Sequence, residues 1–153
     1  MIENLDDHVI ICGFGRVGRA VAAEVVASGR QCVVVDVNEQ SVAVAEESGL
    51  PVMHGDGTED AELARAGIAR ARLLVACADS DEKNVFITLS ARAGRPDLVI
   101  VARASSPGTA EKLRRAGANQ VVEPYSTAGR TIATQVLKPQ VAALLEIAGI
   151  GGS

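Results

Sequence analysis

Apolar positions along the chain follow two alternating rhythms. Short runs rich in β-branched residues return about every twenty residues: His8 to Cys12, Gln31 to Val35, Pro51 to His54, Leu73 to Cys77, Leu98 to Ala102 and Gln120 to Glu123. They read as six strands. Between them lie Ala-rich segments with helical spacing, as in Val17, Val21 and Val25, where an i, i+4, i+8 row makes one apolar stripe. Gly29, Gly49, Gly67, Gly94 and Gly117 each follow such a segment where a left-handed residue would end a helix. Thr58 and Ser106 stand at expected N-caps, the latter followed by Pro107 at the first helical position.

Strict alternation of strand and helix predicts an α/β fold: a Rossmann-like, doubly wound, parallel six-stranded sheet with right-handed crossovers and helices on both faces. After Glu123-Pro124 the pattern changes. Residues 126–138 read as one helix, Pro139 interrupts, and residues 140–148 read as a second. With Leu137, Val141, Leu144, Leu145 and Ile147 on it, this tail is too apolar for a solvated linker and is expected to dock on its own sheet or on a second subunit. The expected organisation is an N-terminal linker over 1–7, a nucleotide-binding domain over 8–125 and crossover or dimerisation helices over 126–153.

Composition narrows the function. A chain of 153 residues has room for one core, and 48% hydrophobic content with only 2% aromatics makes that core aliphatic, as a helix-covered parallel sheet requires. The net charge of −4 argues against a nucleic-acid module. The longest apolar stretch, Leu73 to Ala78, is far short of the ~20 residues of a membrane-spanning helix. Met1 to Asp7 carries Glu3, Asp6 and Asp7 in place of the basic and then apolar order of a secretory signal, which reads as a cytosolic chain. Cys12, Cys32 and Cys77 lie in or beside apolar runs without paired spacing and read as small buried thiols.

One motif carries chemistry. Gly13-Phe14-Gly15-Arg16-Val17-Gly18 has the G-x-G-x-x-G spacing and lies between the first strand and the helix that follows. Gly13 permits the tight turn, Gly15 lets a phosphate approach the backbone, and Gly18 lets the helix pack close to the sheet. The helix N-terminus offers free N–H groups to an anion. Asp36 closes the second strand about twenty residues on, where a carboxylate accepts hydrogen bonds from ribose hydroxyls, and Val37 follows it. No Lys or Arg occurs from Val37 to Ser48, so the site should prefer a free ribose, as in NAD(H) or an adenine nucleotide, over the 2′-phosphate of NADP. The competing reading is that the glycines only make a turn and Asp36 only caps the next helix.

The other strand ends converge on the same edge. Asp56, Gly57 and Thr58 follow the third strand, Ala78 and Asp79 the fourth, Arg103 ends the fifth and Glu123 the sixth. Arg16 and Arg103 are candidates to neutralise phosphate, and Glu123 to ligate a cation or bridge to a neighbouring subunit, the alternative being ordinary solvated charges. No catalytic set is evident: His8 and His54 read as structural, and Tyr125 has no Lys four residues later.

These residues resemble a family, the RCK domain (regulator of potassium conductance), or Trk-type nucleotide-binding domain. The resemblance rests on residues 8–18, Val35-Asp36, Gly55-Asp56-Gly57-Thr58, residues 63–68, Asp81-Glu82-Lys83-Asn84, Ala102-Arg103, residues 113–118 and Glu123-Pro124, and covers roughly residues 8–138. It implies a cytoplasmic regulatory domain at the inner face of the membrane, serving a potassium channel or transporter as a homodimer or higher ring. By that resemblance residues 13–18 would hold phosphates, Asp36 the ribose, Asp56 and Thr58 the base, and Arg16, Arg103 and Glu123 phosphate or a divalent cation. The implied ligand is NAD/NADH or an adenine nucleotide (ATP, ADP or AMP), and the helix from Ser126 would cross between subunits. The sequence reads as departing from the fullest family pattern, which adds a second, C-terminal lobe, so a ligand site in that lobe is not expected here. A small NAD-dependent oxidoreductase, or its cofactor half, is the alternative function.

Overall fold

The computed structural model describes residues 2–138. After a single 3-10 turn at Ile2–Asn4, strand and helix alternate: β1 (Val9–Cys12), α1 (Arg16–Ala27), β2 (Cys32–Asp36), α2 (Glu39–Glu47), β3 (Val52–His54), α3 (Asp60–Arg65), β4 (Leu73–Ala76), α4 (Asp81–Gly94), β5 (Val99–Arg103), α5 (Pro107–Ala116), β6 (Gln120–Val122) and α6 (Pro124–Leu137). All six predicted strands are present, and every pairing is parallel in the order β3-β2-β1-β4-β5-β6. The chain therefore forms the expected doubly wound sheet. Its winding reverses between β1 and β4, which run in register from Val9↔Leu73 to Cys12↔Ala76.

The runs of the central strands β1, β2 and β4 are buried on both sides, so successive residues feed two separate cores. Ile10, Val33, Leu74 and Ile100 point to one face, where Leu63 of α3, Ile87 and Ala91 of α4, and Leu113 of α5 cover them. Val9, Ile11, Val34 and Val75 point to the other, under Ala22 of α1, Ala45 of α2 and the stripe of Val17, Val21 and Val25. Right-handed crossovers require this division, because a connection that reverses direction along the sheet must also change face.

Three expectations at helix ends need correction. Gly94 does not end α4 in a left-handed conformation; it is the last helical residue, and the chain leaves through an extended Arg95 (φ −152°), which Pro96 enforces by excluding the helical region before it. Thr58 is not the cap of α3. Its N–H and hydroxyl both donate to Asp56 Oδ1, at 2.9 and 2.7 Å, and this turn delays the helix so that Glu59 stands at the N-cap. The last helix begins at Pro124, two residues before the expected Ser126, because proline is tolerated at a helix start. Ser106 caps α5 as expected, accepting from Thr109 N–H. Pro139 and the second tail helix over 140–148 lie outside the described residues.

The two rims of the sheet are built differently. At the rim where strands begin, arginines tie loops together through backbone carbonyls. Arg92 donates to Gly117, Pro96 and Leu98 carbonyls at 2.6–2.8 Å, and Arg95 to those of Ile68 (3.0 Å) and Ala71. Arg70 reaches Leu5 O at 2.9 Å, and His8, fully buried, contacts Ala66 O through Nε2 at 2.8 Å. At the opposite rim a buried side chain ties two strand ends together. Asn84 accepts from Ala78 N–H (2.8 Å) and donates to the carbonyls of Ala78 (3.0 Å) and Arg103 (3.1 Å), joining the ends of β4 and β5. Replacing Asn84 with alanine leaves these backbone groups unpaired, at about 1–3 kcal/mol for each buried one. Asn84→Ala is expected to lose about 2–4 kcal/mol and to melt roughly 5–15 °C lower in a calorimetric scan.

Candidate functional site

A cleft of about 380 Å³ opens at the rim where the strands end, centred on the β1/β4 switch point. Its walls are the Gly13–Gly15 turn, Asp36–Asn38 after β2, Gly55–Gly57 after β3, Cys77–Ser80 after β4, and Lys83 and Ile87 on α4. Doubly wound sheets bind ligands at this location because helix N-termini and loops converge there while the crossovers diverge.

The three motif glycines are required for different reasons. Gly13 has φ +108°, and a Cβ there would lie 2.7 Å from both the Ala78 nitrogen and the Cys77 carbonyl oxygen, so it is barred by conformation and by contact. A Cβ on Gly18 would lie 2.0 Å from the Gly13 oxygen. At Gly15 the nearest obstacle is a side-chain oxygen, Asp79 Oδ1, at 3.2 Å, and the backbone faces the cleft. Gly15 is the N-cap of α1 and supplies no side-chain cap, so the first N–H groups of that helix are available to an anion.

Asp36 braces this turn. Its Oδ2 accepts from Phe14 N–H at 2.7 Å and its Oδ1 from Asn38 N–H at 2.8 Å. The cap of α2 is instead Asn38, which accepts from Ser41 N–H. Asp36 thus fixes both loops at the cleft and, with two lone pairs per oxygen, keeps acceptor capacity toward it. Asp56 sits across the cleft with its carboxyl held below the usual carboxylate range, first by the Thr58 N–H and further by the Thr58 hydroxyl and by Lys83. Cys12 ends β1 and Cys77 follows the neighbouring β4, but they belong to opposite cores. Burial pushes the Cys77 thiol up to about 12 and that of Cys12 further still, so both are inert free thiols, and Cys32 is likewise free and buried.

Of the expected residues, Gly13, Phe14, Gly15, Asp36, Val37, Asp56, Gly57, Ala78 and Asp79 line the cleft. Val17 and Gly18 lie behind the turn, against the sheet, and Arg16 is exposed at the start of α1. Thr58 acts through Asp56. Arg103 stands at the rim, 3.9 Å from Asp79 Oδ1, and its Nη2 donates to the Tyr125 hydroxyl at 3.0 Å. Glu123 is the half-buried N-cap residue of α6, with a buried Oε1 that has no partner. No group of three carboxylate, histidine or cysteine ligands forms among the described residues, so Glu123 has no such set around it for a cation. His54 contacts Val37 O through Nε2 at 2.8 Å, a structural contact. Sequence reasoning overlooked Asn38, Ser41, Ser80 and Lys83. The signal for Lys83 was its place in the first turn of a helix that begins at the same rim.

Fold and site together define a doubly wound α/β domain with a dinucleotide-type glycine turn. The chain belongs to the TrkA-N domain family, which it matches over residues 9–124. It is 39% identical over 142 residues to potassium channel protein 1 of Methanocaldococcus jannaschii, covering 92% of this chain and 43% of that protein, so it spans less than half of this relative. Among solved structures it resembles the GsuK channel bound to NAD, at 31% identity and a TM-score of 0.71 over 78% of this chain and 22% of that one. It also resembles the AMP-bound Kef CTD of Shewanella denitrificans, at 27% identity and a TM-score of 0.79 over 93% and 87%. The likeness to RCK and Trk-type domains read from the motifs is thus borne out.

The different surroundings of the glycines lead to a graded expectation. Gly18→Val forces backbone apart and should cost about 1–3 kcal/mol or more, whereas Gly15→Val has only a side-chain oxygen to displace and should melt close to the unaltered chain. Thermal melts of both variants check the order, and equal losses would contradict it.

Proposed function

We propose that this chain is a ligand-sensing regulatory domain that binds NAD(H) or an adenine nucleotide and thereby controls a potassium channel or transporter. The observation that carries the proposal is the brace between Asp36 and Phe14 N–H, which holds the glycine turn and the N-terminus of α1 open to a phosphate at the switch point. The NAD and AMP held by the GsuK and Kef relatives support the ligand class. The names of those relatives and of the Methanocaldococcus channel support potassium transport as the process.

In this reading Gly13, Phe14, Gly15 and the first turn of α1, with Arg16, hold phosphate. Asp36 accepts from the ribose, Val37, Asp56 and Gly57 border the base, and Ala78 and Asp79 close the near wall. Lys83 is a further cation for the same ligand, from α4. The domain is non-enzymatic: it converts occupancy of the cleft into a change at its surface. It acts in the cytoplasm at the inner face of the membrane, through its transport partner.

Calorimetry with NAD, ADP and NADP tests the ligand. NAD or ADP should bind and NADP more weakly, because a 2′-phosphate meets the Asp36 carboxylate. Equal affinities for NAD and NADP would overturn the assignment of Asp36. Bound NADH offered to a panel of carbonyl compounds should give no turnover, and steady oxidation would favour the oxidoreductase reading instead.

Assembly is the second part of the proposal. No residue of α6 is buried, and Tyr125, Ile132, Val136 and Leu137 are 63–77% exposed. Large aliphatics are worth ~1.5–3 kcal/mol each when buried, and a two-fold pair that exchanges these helices would cover both copies at once. Light scattering should find at least a dimer at micromolar concentration, and removal of 126–153 should lower the oligomeric state or cause aggregation. A monomeric full chain would overturn this part.

A further inference from the structure

Arg103 touches both the cleft rim and α6. Its side chain is 15% exposed and its guanidinium has neighbours on two sides. On one side Nη1 lies 3.9 Å from Asp79 Oδ1. On the other Nη2 donates to the Tyr125 hydroxyl at 3.0 Å while Cζ stands 5.6 Å from the centre of the tyrosine ring. Tyr125 belongs to the first turn of α6, so this guanidinium joins the rim to the base of the exposed helix.

Asp79 connects the same guanidinium to the glycine turn. Its Oδ1 lies 3.2 Å from the position a Cβ on Gly15 would occupy, which places a carboxylate beside the backbone that a phosphate must approach. The side chain is 92% exposed and therefore free to move. A second nearby carboxylate, Asp81, is engaged by the Ser105 hydroxyl at 2.6 Å. The backbone around Arg103 is fixed: Asn84 Nδ2 holds its carbonyl at 3.1 Å, and Ala104 N–H donates to Val122 O at 2.9 Å. Only the guanidinium end can respond, and it keeps its charge at any working pH.

We propose that Arg103 is the positioning residue that carries phosphate occupancy at the glycine turn to α6, exchanging Asp79 and Tyr125 for the phosphate. A phosphate beside Gly15 repels the Asp79 carboxylate and offers the guanidinium a bidentate, doubly charge-assisted contact that a single phenol hydroxyl cannot match. The guanidinium turns toward the cleft, and the first turn of α6 loses its tie to β5. The inference rests on the reading of the cleft as a nucleotide site, and it predicts that the phosphate, not the nucleoside, is the part of the ligand that α6 senses.

Tyr125 is the only tyrosine and the chain has no tryptophan, so incorporation of 3-fluorotyrosine gives the full chain a single fluorine resonance at the contact in question. Calorimetry on the same sample establishes saturation with ADP or NAD. At saturation the resonance should move, while adenosine at the same concentration should leave it in place. Arg103→Gln should start near the nucleotide-bound position and respond no further. An unmoved resonance at calorimetric saturation overturns the proposal, as does an adenosine response equal to that of ADP, or a normal response in Arg103→Gln. The adenosine and ADP comparison decides the matter on the unaltered chain if Arg103→Gln fails to fold. Absence of calorimetric binding by any nucleotide overturns the nucleotide reading itself, and this proposal with it.

Discussion

The site depends on one close approach: the first turn of α1 lies so near the end of β1 that Gly18 has no space for a single extra carbon. That approach points the N-terminus of α1 across the sheet edge at the switch point. A helix set further from the strand would still pack through Val17, Val21 and Val25, but its free N–H groups would no longer face the cleft. Gly13 makes the same demand from the strand side, where the Cys77 carbonyl and the Ala78 backbone after β4 occupy the space a side chain would need. Asp36 then fixes the turn against β2 through Phe14 N–H, so the cleft at the N-terminus of α1 is a product of packing between three strand ends.

The same argument separates what the sequence made legible from what it did not. Strands buried on both faces must be continuous β-branched runs, and each of the six lies within about one residue of its run. Gly13, Gly15, Gly18 and Asp36 were readable because their requirements are local and their spacing follows from one strand, one turn and one helix. Thr58 and Gly94 were misplaced because a competitor intervened: the Asp56 carboxylate took the Thr58 donors, and Pro96 dictated the exit from α4. Asn84 and Lys83 stood inside a recognised stretch, yet their tasks are set by partners such as Arg103 and Asp56, far off in sequence. The side chains a sequence hides are those whose role is defined only once distant strands meet.

Charge is distributed to suit this division. The cleft carries three carboxylates, Asp36, Asp56 and Asp79, and one lysine, so in the proposed function a phosphate would be held by backbone N–H groups and the helix end more than by net positive charge. Such a site favours ligands that also offer hydroxyl donors to the carboxylates, which a ribose does and a bare inorganic anion does not. Under the proposed function, selectivity for a nucleotide over free phosphate would come from the acidity of the walls.

The arginine-tied rim has a consequence for how such domains diversify. Arg70, Arg92 and Arg95 knot together the loops leading into β1, β4, β5 and β6 without using any group that faces the cleft. These loop ties thus act at the end remote from the cleft. Substitutions among the side chains of the cleft rim, outside the glycine turn, Asp36 and Asn84, can alter the chemistry of the cleft while the architecture beneath is inherited unchanged. A sheet organised in this way can have the chemistry of one edge rewritten while the other edge is kept.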